Sequence, residues 1–315
     1  MGRFRISVFG ESHAPEIGVV IEGVPAGFRI DAARLREFLE RRAPGRGQGG
    51  MSTPRREPDE PVFTAGVTAD GVADGGAVRA VIRNTNIRPG DYADVTTVPR
   101  PGHADYASWL KCGRIPTGGG RWSGRLTAPL CVAGGIAKQI LAVRGIEVAA
   151  RVTRTGTPEP DDSVGGIVEI VATGVPAGLG DAGPDGVESR LASALFGIPA
   201  VKGVEFGDGF RLADMKGSEA NDAFGVEDGR VVLRTNRCGG ILGGVTVGTP
   251  LVARIAFKPT PSIAKEQDSV DLATLKPVKL AVKGRHDRCV AFRGAVAAEA
   301  AVAVALCDLV LEAEP

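Results

Sequence analysis

Three histidines occur in 315 residues, and all three stand in one kind of setting. "GESH" (10–13), "RPGHAD" (100–105) and "GRHDRC" (284–289) each place the ring within two residues of a carboxylate, in sequence that carries glycine. None falls on an apolar stripe. Imidazole titrates closer to neutrality than any other side chain, and a neighbouring carboxylate moves it across that range. Three loops of oxyanion-binding composition accompany the rings. "RRAPGRGQGGMSTPRR" (41–56) sets arginines 41, 42, 46, 55 and 56 among glycines; a guanidinium fork matches phosphate or carboxylate, and glycine lets the backbone approach an anion. "TGGGRWSGR" (117–125) runs into a helical stretch, so backbone N–H groups with Arg121, Ser123 and Arg125 can cradle an anion. "CGGILGGVTVG" (238–248) precedes "FKPTPSI" (257–263), where Lys258, Thr260 and Ser262 alternate with prolines that stiffen the chain. Taken singly, a basic loop or a stiff turn is ordinary. Together, several oxyanion grips and histidine–acid pairs without metal-ligand spacing fit proton transfer on a strongly anionic small molecule.

Some chemistries are excluded. Counting from Gly118 and Gly120, the third glycine of a dinucleotide fingerprint would be residue 123, which is serine, and no Walker A sequence occurs. Lys plus Arg (38) against Asp plus Glu (37) leaves a formal charge of +1, and aromatics make up 5%. Neither a basic field nor stacking platforms are present for nucleic acid, and no global charge draws the chain to a membrane. Five cysteines without a C-x-x-C pair argue against a disulfide framework or zinc site and for a reducing compartment. "MGRFRISVFGESH" lacks a signal-peptide core, and the apolar C-terminal run is interrupted by Glu299 and Asp308, so the expectation is a cytoplasmic protein with no membrane span.

The elements that must position these residues follow from pattern. At 43% apolar, the chain can bury a large core. Residues 17–43 and 167–197 share a β-branched run, then G-V-P-A-G, an acidic turn and an amphipathic helix; Gly23 and Gly174 stand 151 positions apart. Residues 65–84 and 243–258 echo one another as two strands about a glycine turn. Each half then ends in an alanine-rich helical stretch, 125–145 and 294–312, apolar on nearly every side and so expected between layers. The first amphipathic helix should span 31–42 behind the N-cap Asp31, with Leu35, Phe38 and Leu39 on its core face. The expectation is an α+β chain of two related halves, about 1–150 and 151–315, fused as one domain 1–315 with helices inside and sheets outside.

"FGESH", "RREPD", "RPGHADY", "GGGR-S-R", "AVKGVEFGDGF", "GGILGG", "KPT-SI" and "GRHD-C" occur in this order over essentially the whole chain, which thereby resembles the chorismate synthase family. The resemblance implies a β-α-β sandwich with internal similarity, assembled as a homotetramer. It implies a lyase of the shikimate pathway that eliminates phosphate (anti-1,4) from 5-enolpyruvylshikimate-3-phosphate, giving chorismate for aromatic amino acid biosynthesis. The family depends on reduced FMN (FMNH2) without net redox change, and NADPH is a candidate reductant. Motif by motif, His13 resembles the histidine that assists protonation of the flavin, His103 the acid that protonates the departing phosphate, and Asp287 the carboxylate near flavin N5. His286 is implied to shape its loop. Arg42, Arg46, Arg100, Arg125 and Arg285 resemble substrate-side arginines. Flavin contacts are implied at Arg121, Trp122, Ser123, Ala200, Gly243, Lys258, Pro259, Thr260, Pro261, Ser262 and Arg285. The sequence departs from the pattern at Ala14 (usually Gly), Trp122 (a cofactor-side Ser) and Arg288 (usually Pro), lacks an arginine commonly expected near Gly50, and is short between "KPTPSI" and "GRHD". Two rivals share the motifs. A non-catalytic paralogue is disfavoured by the intact His13, His103, Arg125, Arg285 and Asp287, and an oxidoreductase with net hydride transfer by the absent dinucleotide fingerprint.

Overall fold

The computed structural model describes residues 2–43, 50–53, 59–84, 97–282 and 286–314. The first half contributes β1 (Arg5–Gly10), β2 (Glu16–Glu22), α1 (Ala32–Arg42), β3 (Val62–Ala65), β4 (Val78–Arg83), α2 (Asp105–Cys112) and α3 (Thr127–Ala142). In the second half come β5 (Glu147–Thr155), β6 (Gly166–Thr173), α4 (Val187–Phe196), β7 (Val201–Phe206), the short α5 (Gly217–Ala220), the hairpin strands β8 (Phe224–Glu227) and β9 (Arg230–Leu233), and the two-residue strands β10 (Ile241–Leu242) and β11 (Val245–Thr246). The chain closes with β12 (Leu251–Phe257), β13 (Gln267–Asp271), β14 (Lys276–Leu280) and α6 (Ala291–Ala313). The two main sheets are antiparallel, in orders β1-β2-β4-β3 and β5-β6-β12-β7. These are one topology used twice, so the duplication read from the sequence is a property of the fold.

The G-V-P-A-G turns show why the repeat keeps its glycines. Gly23 has φ +86°, and a Cβ there would fall 1.6 Å from the Arg3 carbonyl oxygen. Gly174 has φ +73°, with its Cβ position 2.0 Å from the Gly145 oxygen. Two residues before β1 and two before β5, the chain thus presses on the same glycine of each turn. Both turns also close alike: Gly27 N–H donates to Ala73 O (2.9 Å) and Ala73 N–H to Phe28 O (2.9 Å), while Gly178 N–H donates to Thr246 O (2.8 Å) and Thr246 N–H to Leu179 O (3.0 Å). Of the strand pairs expected at 65–84 and 243–258, the second is realised as β11 and β12, with β11 paired to β10 rather than to β12, whereas at 65–84 only the second member, β4, forms. Residues 66–77 make isolated bridges, because glycines 66, 71 and 75 at positive φ break the pleat.

α1 starts where its cap requires, with Asp31 Oδ1 accepting from Ala33 N–H (2.9 Å) and Arg34 N–H (3.0 Å), and Leu35, Phe38 and Leu39 buried. α3 and α6 lie side by side between the sheets, β2 and β4 covering α3 while β5 and β6 cover α6. Gly134 makes the close crossing, since a Cβ there would sit 2.3 Å from Ala300 Cβ. α6 is long and apolar enough to span a membrane by composition, yet 89% of its most apolar window is buried inside this chain. The core runs without a break through both halves. Glu299, fully buried on α6, accepts from both terminal nitrogens of Arg41 (3.0 and 2.7 Å), from Lys138 and from Ala150 N–H (3.1 Å). One carboxylate thereby ties α1, α3 and β5 to α6.

Gly23→Ala should lower stability by at least about 2 kcal/mol, the backbone clash adding to the left-handed penalty, whereas Gly27→Ala, with φ +80° and no atom within 4 Å of its Cβ position, should cost about 1 kcal/mol. Urea unfolding midpoints of the two variants check the difference.

Candidate active site

The turn Thr117–Trp122 seats both candidate imidazoles. Gly118, Gly119 and Gly120 hold φ of +62°, +85° and +51°, a run that only glycine adopts without strain. A Cβ at Gly118 would stand 2.0 Å from His13 Cε1, and one at Gly119 3.0 Å from His103 Cε1. Two rings 90 positions apart in the chain therefore rest on neighbouring glycines. Ser12 Oγ donates to Gly118 O (3.1 Å) and lies 3.0 Å from His13 Nδ1. Ser12 N–H donates to Gly120 O (3.2 Å), and Asn84 Nδ2 donates to Ala14 O (2.8 Å), pinning the loop from both sides.

His103 belongs to a buried ion cluster at the start of α2. The Asp105 carboxylate, wholly buried, accepts from Arg100 Nε (2.7 Å), Arg100 Nη2 (2.8 Å), Arg100 N–H (3.1 Å) and His103 Nδ1 (2.6 Å). Arg100 Nη1 reaches Ser262 Oγ (3.1 Å), and the Lys258 ammonium donates to Gly102 O. Burial pushes the Asp105 carboxyl up, but the hydrogen bonds from Arg100 and His103 outweigh it and hold the group well below the usual carboxylate range. For His103, burial lowers the pKa, Asp105 raises it, and Arg100 and Lys258 lower it again, leaving it below its ordinary value of 6.5. The ring is neutral at neutral pH, its Nδ1–H on Asp105, until an anion arrives to favour the charged form. Because the folded pKa lies below the unfolded one, the ring's contribution to stability is complete above 6.5 and declines as pH falls toward the folded value.

A second cluster holds the arginines. Asp59, with its side chain 1% exposed, accepts from Nη1 of both Arg42 and Arg125. Arg42 also donates to Thr127 Oγ1 (3.0 Å) and Gly124 O (3.3 Å), and Arg125 Nε donates to Asn84 Oδ1 (3.1 Å). Burial would raise the Asp59 carboxyl, yet Arg42, Arg125 and Arg293 together hold it below its ordinary value. Asp287 accepts from Thr53 N–H (2.9 Å) and Arg293 Nη1 (3.1 Å), and Arg293 Nε donates to Arg42 O (3.2 Å). Asp287, the one carboxylate expected to be catalytic, is thus joined to the last turn of α1 through one guanidinium.

The stretches expected to hold a cofactor divide. Ala200, at φ +74°, accepts the Lys258 N–H (2.9 Å), and Ser163 Oγ fixes the Thr260 carbonyl (2.7 Å), so Ala200 and Lys258, Pro259, Thr260, Pro261 and Ser262 form one loop pair beside His103. Thr260 Oγ1 is buried without a hydrogen-bond partner among the described residues, which suits a ligand oxygen there. Ser123 Oγ caps the turn by accepting from Arg125 N–H (3.3 Å), and Trp122 carries Arg121 Cζ 5.7 Å from its ring centroid. A cavity of about 690 Å³ adjoins this side, lined by Glu11 and Arg121 with Leu126, Ala194 and Pro199. Gly243 is elsewhere: its hairpin adjoins Leu179 at the Leu251 end of β12, about 20 Å along the strand from Lys258. Arg46 and Arg285 lie outside the described residues. Asp59, Asp105, Asn84 and Ser12 enter the site without having been singled out; "RPGHAD" carried the signal for Asp105 in its ring–acid spacing, and nothing local marks Asn84.

A duplicated α+β sandwich that carries its paired imidazoles and buried guanidinium–carboxylate clusters on loops is the frame of an enzyme. The family model described as "Chorismate synthase" matches residues 4–161 and 156–311. The chorismate synthase of Lancefieldella parvula is 43% identical, the match covering 96% of this chain and 93% of the relative. That of Thermococcus gammatolerans is 44% identical over 97% of this chain and 95% of the relative. A crystal structure of a chorismate synthase superposes with a TM-score of 0.73 at 24% identity, covering 98% of this chain and 92% of that one, and shows the same fold. The chain belongs to the chorismate synthase family, a family of lyases.

Asp105→Asn should lower the His103 pKa further, since Asp105 supplies the contributions that raise it, and Lys258→Met should raise it. Titration of the His103 Cε1–H NMR resonance reads both shifts, with opposite signs expected.

Proposed function

We propose that this chain converts 5-enolpyruvylshikimate-3-phosphate to chorismate, breaking the C3–O bond to phosphate and removing a C6 hydrogen from the opposite face, with reduced FMN bound. The observation that carries the reading is the seating of His13 and His103 on consecutive glycines, between the Arg100–Asp105 and Arg42–Asp59–Arg125 clusters. When bound, the reduced flavin supplies electron density to the allylic system and accepts the C6 hydrogen. The chain's own residues do the rest. Arg42 and Arg125, locked by Asp59, offset the charge of phosphate and carboxylates without reorganising during the reaction. Ser123 and the stretch 258–262 fit the cofactor side, Thr260 Oγ1 offering a hydroxyl that lacks a partner among the described residues. NADPH as reductant, a homotetramer and a cytoplasmic setting complete the proposal, with no nucleic acid or membrane partner.

For the two imidazoles, the motif reading gives His13 to the flavin and His103 to the leaving phosphate. A second reading exchanges them, and a specific observation favours it. His103 is bound through Arg100 to Ser262 and through Gly102 to Lys258, both in the cofactor stretch, whereas Asn84 links the His13 loop to Arg125 on the substrate side. The ring beside the flavin is the one whose replacement moves the titration of bound reduced FMN, followed by absorbance.

In an anaerobic assay with photoreduced FMN, the parent protein should release phosphate and form chorismate, and His13→Ala and His103→Ala should each lower kcat by at least about 100-fold. NADPH consumed should stay far below chorismate formed. Parental rates in both variants would overturn the assignment of the site, and one NADPH per turnover would restore the oxidoreductase.

A further inference from the structure

The turn that carries His13 joins β1 to β2, and it gathers on one side chain of a third strand's end. β2 pairs with β4 from Ile21 opposite Val78 to Glu16 opposite Arg83, which brings Asn84 beside Pro15. Asn84 N–H donates to Pro15 O (3.0 Å), and Pro15 has no N–H to carry the ladder further. The Asn84 side chain is thereby set against the turn. Its Nδ2 donates to Ala14 O (2.8 Å) and lies 3.5 Å from Glu11 O, so both ends of the stretch 11–14 are drawn to one amide. Its Oδ1 accepts from Arg125 Nε (3.1 Å).

The two partners fix which atom is which. A guanidinium only donates and a carbonyl only accepts, so the group between them must turn oxygen to one and N–H to the other, as a carboxamide does. A carboxylate would satisfy Arg125 and oppose the Ala14 carbonyl; a hydrocarbon would satisfy neither. Arg125 is itself buried, with Nη1 on Asp59, so the amide is anchored to a guanidinium already held from a second side. We infer that Asn84 is a positioning residue, which fixes the His13 loop and the Arg125 guanidinium to each other so that ring and cation keep one relative placement. The roles of these two partners come from the proposed reaction, on which this assignment rests, and either proton-transfer role of His13 is served by it. Misplacing a reacting group by about 1 Å costs on the order of 100-fold in rate.

Asn84→Leu removes both side-chain hydrogen bonds with a side chain of the same branching, and circular dichroism establishes that it is folded. By NMR without substrate, the His13 Cε1–H resonance should move in this variant, while that of His103, held by Asp105 and Arg100, should stay in place. A general loosening would move both. In the anaerobic assay with reduced FMN, Asn84→Leu should lower kcat at least about 10-fold in the parent but less than about 2-fold in His13→Ala, because the amide acts on the rate through that ring. Its effect on substrate Kd, measured with oxidised FMN so that nothing turns over, should be the same in both backgrounds, since that effect runs through Arg125. Asn84→Asp keeps an acceptor for Arg125 but has no N–H for Ala14 O; it should reproduce the loss of kcat, and decides the matter if the leucine variant does not fold. An unmoved His13 resonance in a folded variant, or equal kcat losses with and without His13, would overturn the assignment. A parent that forms no chorismate, with the His13 resonance still displaced in Asn84→Leu, would overturn the proposed reaction and leave the tie between loop and guanidinium standing.

Discussion

Packing several guanidinium groups into one protein interior is possible only if each meets a fixed negative partner. The buried Arg42, Arg100 and Arg125 meet theirs in Asp59 and Asp105, while a third buried carboxylate, Glu299, is met by the half-exposed Arg41. Asp59, Asp105 and Glu299 are each at most 6% exposed and each binds at least one arginine. Removing one partner from such a pair leaves an uncompensated buried charge, which costs several kcal/mol. The arginines are therefore held before any substrate arrives. A site for a multiply anionic ligand needs this: cations left mobile in water would lose much of their attraction to solvent screening and to the cost of being ordered.

Helical geometry divides the labour. Arg41 and Arg42 are consecutive, about 100° apart around α1. Arg41 turns to Glu299 and so fastens the last turn of α1 to α6; Arg42 turns to Asp59, Thr127 and Gly124. Arg293, six residues before Glu299 on the same helix, holds the Arg42 carbonyl with Nε and Asp287 with Nη1. The apolar helix that forms the core is thus also the rail along which the ion network is registered, which explains why so hydrophobic a segment keeps a glutamate at its middle.

What could be read from the chain itself was whatever is local. The Asp31 cap, the core face of α1, the two buried alanine-rich helices and the G-V-P-A-G repeat each rest on spacing within a few turns, and each has a close-range cause in the structure. The histidine–carboxylate spacing of "RPGHAD" was legible for the same reason. Asp59 and Asn84 were not, because their value lies in partners 17 to 66 positions away for the one and 41 to 73 for the other. Nor could "TGGG" show that its glycines are a seat for two rings, since only the assembled fold brings residues 13 and 103 to them. Gly243 is the reverse case: a motif in the right order whose strand carries it to the far end of the sheet.

The duplication explains how two imidazoles come to be held in comparable ways. Asn84 follows β4 and Lys258 follows β12, the fourth strand of each repeat. Asn84 bonds the backbone at Ala14, one residue past His13; Lys258 bonds the backbone at Gly102, one residue before His103. Equivalent positions in the two halves have become an amide and an ammonium, each fixing the loop of one ring. The difference has chemical weight. The Lys258 ammonium adds to the burial and the guanidinium that already depress His103. A scaffold with one topology used twice has in this way fixed two rings on one turn by chemically different groups, a neutral amide at one loop and a charged ammonium at the other.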